Sequence, residues 1–155
     1  MTSFRRSVML SFAFLAACST AAQAVEVTMF RDAGCGCCLK WAAHFEKGME
    51  TEVKAVDSPD MMEVKARHGV PQDLLSCHTA IVDGYVIEGH VPAEAVKLLL
   101  KERPAGVRGL AVAGMPLGSP GMEVPGREQT YDVVAFGEKG ASVFARFEGG
   151  RLIAR

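Results

Sequence analysis

Val25-Glu26-Val27-Thr28-Met29-Phe30, then Arg31-Asp32-Ala33-Gly34, then Cys35-Gly36-Cys37-Cys38, then Leu39 to Lys47: this stretch carries the information from which the fold can be read. Its first six residues alternate loosely in polarity, as a strand does. Leu39 to Lys47 places Trp41, Ala42 and Phe45 at helical spacing, with Gly48 behind them as a stop. Three cysteines therefore fall at a strand-to-helix turn. The unpaired N–H groups and the dipole at a helix start favour anionic sulfur there. Thiolate is both a nucleophile and a soft metal ligand, so metal binding and thiol redox chemistry both gain from this placement.

Working outward, Thr51 to Val56 alternates with period two and predicts a second strand, parallel to the first. Ser58-Pro59 predicts a helix start with Ser58 as N-cap, and that helix, carrying Met61, Met62 and Val64, stops near Gly69 and Pro71. Thr79 to Val82 and Tyr85 to Ile87 flank Asp83-Gly84, a strong hairpin signal because both turn residues tolerate positive φ. Pro92 opens a last helix, with Val96, Leu99 and Leu100 on its buried face, and Pro104 closes it. Residues 106–126 are rich in Gly, Pro and Met and show no period, which predicts a long loop. Tyr131 to Phe136 and Ala141 to Phe147 predict a second hairpin, spanning 131–147, and the tail from Glu148 is expected to fray.

The α/β order is thus β-α-β-α-β-β-α, with an added Gly/Pro/Met loop and a C-terminal β-hairpin. That order, with cysteines on the first strand-helix turn, resembles the thioredoxin fold. Thioredoxins carry a cis-proline just before the third strand, facing the active-site cysteines. Here Ser76-Cys77-His78 stands at that place, and Pro71 comes too early to serve. The resemblance implies that Cys77 and His78 face Cys35, Cys37 and Cys38.

Residues 1–24 read as an export signal, with Arg5 and Arg6 as the positive region, an apolar stretch from Ser7 to Ala17, and Ala22-Gln23-Ala24 as the cleavage site. Leu15-Ala16-Ala17-Cys18 also fits a lipoprotein box, which would place a lipid on Cys18. The apolar run is shorter than the ~20 residues of a membrane span. The leader holds two basic residues and no acid. Its loss takes Lys plus Arg from 17 to 15 against 18 acids, and the net charge from −1 to −3. That balance, with no recognisable motif, argues against a nucleic-acid partner. Residues 25–155 are of single-domain length. Export implies an oxidising compartment, and the four remaining cysteines suffice for two disulfides or one four-sulfur metal site.

Several longer segments point further. They are Asp32-Ala33-Gly34-Cys35-Gly36-Cys37-Cys38 with Lys40-Trp41, Gly69-Val70-Pro71, and Ser76-Cys77-His78-Thr79-Ala80 leading to Val82-Asp83-Gly84-Tyr85. Glu88-Gly89-His90-Val91-Pro92, Gly109-Leu110-Ala111-Val112, Gly114-Met115-Pro116 and Gly118-Ser119-Pro120-Gly121-Met122-Glu123 complete the set. Together they are similar to the CopG type of copper-resistance protein, a family long described as a domain of unknown function and unrelated to the DNA-binding repressor of the same name. The resemblance implies a thioredoxin-like fold, a periplasmic location, copper bound by the cysteine cluster, and a multinuclear site with a Cu(I)/Cu(II) role. It also implies other periplasmic copper-resistance proteins as partners.

The residues themselves agree with copper. Thiolate-rich sites select Cu(I), zinc or iron–sulfur clusters. Structural zinc commonly uses two well-separated Cys-x-x-Cys pairs, whereas this chain has one tight triplet and a distant Cys-His. Bridging thiolates that hold several Cu(I) ions suit such crowding better. The expected ligands are Cys35, Cys37, Cys38 and Cys77. His78, His90, Met115 and Met122 are candidates for the same site or its surround. His44 is expected in solvent, His68 without a role, and Trp41, Phe45, Met61 and Met62 in the core. A different class of function uses the same residues: a thiol–disulfide oxidoreductase in which Cys35 attacks and Cys38 resolves. A structural zinc or disulfide module is a third reading.

Overall fold

The structure, a computed structural model, describes residues 25–155. The leader and Cys18 lie outside the described residues. Val27–Arg31 forms β1, Gly36–Met49 α1, Val53–Asp57 β2 and Met61–Arg67 α2. A single 3-10 turn at Gln72–Leu74 precedes β3 (His78–Val82) and β4 (Tyr85–Glu88), and α3 is Ala93–Glu102. The expected β-α-β-α-β-β-α order is therefore the observed one. Beyond it run β5 (Val107–Ala111), β6 (Thr130–Gly137), β7 (Gly140–Glu148) and β8 (Arg151–Ala154). All eight strands join one sheet in the order β2-β1-β3-β4-β5-β6-β7-β8.

Helix α1 starts three residues earlier than periodicity predicts. Cys35 is its N-cap, so Cys37 and Cys38 lie in the first turn. The periodic apolar face could not reveal this, because Gly36 and the cysteines carry no strong helical signal. At the other end Gly48 stays inside the helix, and Glu50 takes the left-handed cap. A Cβ on Gly48 would lie 2.5 Å from the Ala93 Cβ. The missing side chain thus lets α1 and α3 approach closely. In α2 the N-cap is Asp60, not Ser58: its carboxylate accepts the Glu63 N–H at 2.9 Å.

The main core lies on one face of the sheet, under α1 and α3. Val27 and Met29 of β1 meet Trp41, Phe45, Val96 and Leu99 there. Burying one such side chain is worth roughly 1.5–3 kcal/mol. Met62 was expected in this core, but it is 52% exposed. On the opposite face a small cluster of Val70, Leu74, Val86, Ala111 and Phe136 packs beneath the 3-10 turn.

Two segments differ from expectation. The aperiodic stretch 106–126 contains β5, parallel to β4 with Ile87 opposite Leu110. Gly109 obscures the strand pattern, yet glycine is required at that position. A Cβ there would lie 2.0 Å from the Val86 carbonyl oxygen. The C-terminal tail does not fray: Gly149-Gly150 turns it back and β8 pairs with β7, Phe147 opposite Leu152.

Strand direction places the site. β1 and β3 are antiparallel with Arg31 opposite His78. The residues that follow β1 therefore lie beside those that precede β3. β4 returns antiparallel to β3 and β5 runs parallel to β4, so the segments after Glu88 and after Ala111 leave at that same end. Cys35–Cys38, Cys77, His90 and the Met115–Met122 segment are all delivered to one end of the sheet.

Candidate metal centre

The cysteine turn is held by the strand that precedes it. Arg31 donates from Nη1 to the carbonyl oxygens of Asp32, Ala33 and Cys35 at 3.2, 3.1 and 3.3 Å. Its Nη2 pairs with Asp57 at 2.8 Å. The Asp32 carboxylate accepts the Gly34 N–H at 2.8 Å, and the Asp32 carbonyl accepts the Cys35 N–H at 3.0 Å. The turn is thereby fixed before α1 begins.

Four sulfurs converge. Cys35 and Cys38 are joined as a disulfide with their Cα atoms 5.4 Å apart, and Cys37 and Cys77 are free. Cys37 Sγ lies 3.5 Å from Cys35 Sγ and 3.7 Å from Cys77 Sγ. Cys38 Sγ lies 3.7 Å from Cys77 Sγ. All four lie within 4.8 Å of one another, a spacing that one ion or a few bridged ions could span.

Cys77 also meets two imidazoles, at 2.9 Å from His90 Nε2 and 3.5 Å from His78 Nδ1. His90 Nδ1 lies 2.8 Å from the Pro120 carbonyl oxygen. A carbonyl only accepts, so the proton is on Nδ1 and the bare Nε2 faces the Cys77 thiol. His78 is fully buried against the Trp41 ring, with centroids 4.4 Å apart, and its Nε2 has no partner among the described residues.

The loop closes over this end. Gly121, at φ 86°, sits so close to the first turns of α1 that a Cβ would lie 2.7 Å from both the Cys37 carbonyl oxygen and the Trp41 amide nitrogen. Met122 is half-buried beside it and Met115 is exposed. His44 was expected in solvent. It is exposed, but its Nε2 lies 2.8 Å from Glu123, whose carboxylate also accepts the Gly121 N–H at 2.7 Å. That pair ties the Met122 segment to α1. His44, Arg31 and the Pro120 carbonyl were not among the sequence candidates. A charged residue at the end of a strand is a usable hint for Arg31, but a backbone carbonyl leaves no signature in residue type.

Burial favours the neutral forms of Cys77, His78 and His90. Burial, reinforced by Cys37, pushes the Cys77 thiol up to about 12. Burial holds His78 well below the usual histidine value, with His90 and Lys65 adding to the effect. Burial lowers His90 too, against the opposing pull of the Pro120 carbonyl and Glu123. A metal that takes Cys77 as thiolate must therefore displace a proton. Without metal, stability is expected to fall as pH drops below about 6.5. In that range the unfolded chain protonates these histidines and the folded chain does not. Unfolding gains protons, with a slope approaching about 1.4 kcal/mol per pH unit for each histidine. Urea unfolding of metal-free protein at several pH values checks this. A profile flat from neutral pH to well below 6 would contradict it.

Comparisons with known proteins follow the same residues. Residues 74–122, which include Cys77, His78, His90, Met115 and Met122, match the family described as "Protein of unknown function, DUF411". No curated protein matches the chain. Two solved structures do. "Copper resistance protein copG- Form 2" aligns at 43% identity and a TM-score of 0.73, over 81% of this chain and 99% of that one. "Copper resistance protein copG- Form 1" aligns at 43% identity and a TM-score of 0.75, over 82% of this chain and 100% of that one.

Proposed function

The chain belongs to the CopG family of copper-resistance proteins, and from that premise we propose that it is a periplasmic copper-binding protein of copper resistance. In this reading it holds Cu(I) in a multinuclear thiolate site and can pass between Cu(I) and Cu(II). Cys35, Cys37, Cys38 and Cys77 supply the sulfur. His78 and His90 supply nitrogen, and the Met115 and Met122 thioethers cap the site. Copper arrives from and leaves to other periplasmic copper-resistance proteins. Export through the 1–24 leader is part of the proposal, with a lipid on Cys18 as the anchored variant. No helix among the described residues is long and apolar enough to cross a membrane.

The observation that carries this reading is the convergence of four cysteine sulfurs from two distant parts of the chain. Soft sulfur suits Cu(I), and a triplet crowded at a helix start suits shared, bridging thiolates. The Cys35–Cys38 disulfide supports a second reading, thiol–disulfide exchange. There the Cys35 thiolate attacks a substrate disulfide and forms a mixed disulfide. The Cys38 thiolate then displaces the reduced substrate, leaving the Cys35–Cys38 bridge.

Anaerobic titration of the reduced, metal-free protein with Cu(I) against a competing chelator tests the first reading. More than one copper per chain, with mainly sulfur scattering in X-ray absorption, is expected. Affinity no better than that of an exposed thiol would sink it. Turnover in an insulin-type reductase assay without metal would then favour the second.

A further inference from the structure

Glu88 is fully buried, pairs with Lys65, and is not among the candidate metal ligands. Its Oε1 accepts from Lys65 Nζ at 2.6 Å and from the Ser76 backbone N–H at 2.7 Å. Its Oε2 accepts the Thr79 hydroxyl at 2.7 Å. Lys65 is buried as well and also reaches Thr79 Oγ1 at 3.2 Å. Burying two charges costs desolvation, and an apolar pair of equal volume would serve stability as well or better. An apolar side chain could not accept the Ser76 N–H, however. That amide lies just before β3, where the sheet ladder has not begun.

Ser76 immediately precedes Cys77, the one clustered sulfur that does not come from the α1 turn. Other contacts converge on the same point. Gly89 has φ 71°, and a Cβ on it would lie 2.3 Å from Ser76 Oγ, so the turn after β4 packs directly on this residue. The Ser76 hydroxyl donates to the Gly114 carbonyl, and the Gly114 N–H returns to the Leu75 carbonyl at 3.0 Å. The segment that leads to Met115 is thus tied to the same backbone.

We infer that Glu88 is a positioning residue for the Cys77 thiol. Its carboxylate stands in for a missing sheet partner at Ser76, and Lys65 is the counter-charge that burial of that carboxylate demands. The consequence for copper rests on the proposed function; the geometry of the thiol does not. Preorganised support of this kind sets how well a ligand set holds its metal.

Two double variants separate acceptor from charge. K65M/E88Q removes both charges and keeps a carbonyl for the Ser76 N–H, whereas K65M/E88L removes the acceptor too. K65M/E88Q is expected to keep wild-type Cu(I) affinity, and K65M/E88L to lose about ten- to a hundredfold. In reduced, copper-free protein, alkylation of Cys77 relative to Cys37 should rise in K65M/E88L alone. General loosening would raise both thiols together, and that outcome overturns the inference. So does equal behaviour of the two variants. Weak copper binding by the wild type would refute the copper reading, while the alkylation ratio would still decide the positioning role. If neither variant folds, amide exchange in the wild type decides. A Ser76 N–H protected like the β3 amides supports the inference, and exchange at the rate of an open loop overturns it.

Discussion

Cys77→Ser is expected to lower Cu(I) affinity by more than about a hundredfold, since even outer partners of a metal ligand contribute ten- to a hundredfold. Cys77 is the point at which the two halves of the sulfur cluster meet. Its Sγ lies 3.7 Å from both Cys37 and Cys38 and 2.9 Å from His90 Nε2. Serine is nearly isosteric, and its hydroxyl can still donate to the bare His90 nitrogen. The folding cost should therefore stay near 1 kcal/mol, the net worth of one such hydrogen bond. A hard hydroxyl is a poor substitute for thiolate toward Cu(I). Chelator competition on the reduced protein gives the affinity, and thermal unfolding shows that the variant is folded. Unchanged copper affinity in a folded C77S protein would remove Cys77 from the site. It would leave the α1 triplet as the only thiolate source.

Formation of the Cys35–Cys38 disulfide is expected to weaken Cu(I) binding on a similar scale, about a hundredfold or more, and reversibly. A bridged sulfur carries no thiolate charge. The bridge leaves only Cys37 and Cys77 as free thiols. Reduction by a small dithiol breaks the S–S bond, takes up two electrons and two protons, and yields two thiols, while the reductant becomes a disulfide. Copper uptake then removes the thiol protons. Titration of the protein before and after reduction, without oxygen and with thiols counted in parallel, measures the difference. Equal affinity and equal copper number in the two states would show that Cys35 and Cys38 are not both ligands. The disulfide-exchange reading would gain accordingly.

Much of this arrangement is written in local spacing. The Trp41, Ala42 and Phe45 stripe, the Asp83-Gly84 turn and the Pro92 helix start each follow from a few adjacent residues. The α/β order was legible for that reason. Gly109 hides β5, because a residue chosen to admit the Val86 carbonyl carries no strand propensity. β8 was hidden by Gly149-Gly150, which reads as a fraying tail until Leu152 is seen opposite Phe147. The first turn of α1 was hidden because Gly36, Cys37 and Cys38 carry little helix propensity.

The site divides along the same line. Residue type singled out the candidate soft ligands, because thiolate clusters and imidazoles are rare and their chemistry is intrinsic to the side chain. Their distances and protonation depend on partners far away in the chain. Cys77 meets Cys37 because β1 and β3 pair with Arg31 opposite His78. The His90 proton sits on Nδ1 because the Pro120 carbonyl faces it. Ser76 is held because Glu88 and Lys65 are buried together. Most of the elements and the candidate donor residues came from short-range pattern. Register, tautomer and buried charge came from packing, since each is set by atoms that are neighbours only in the folded chain.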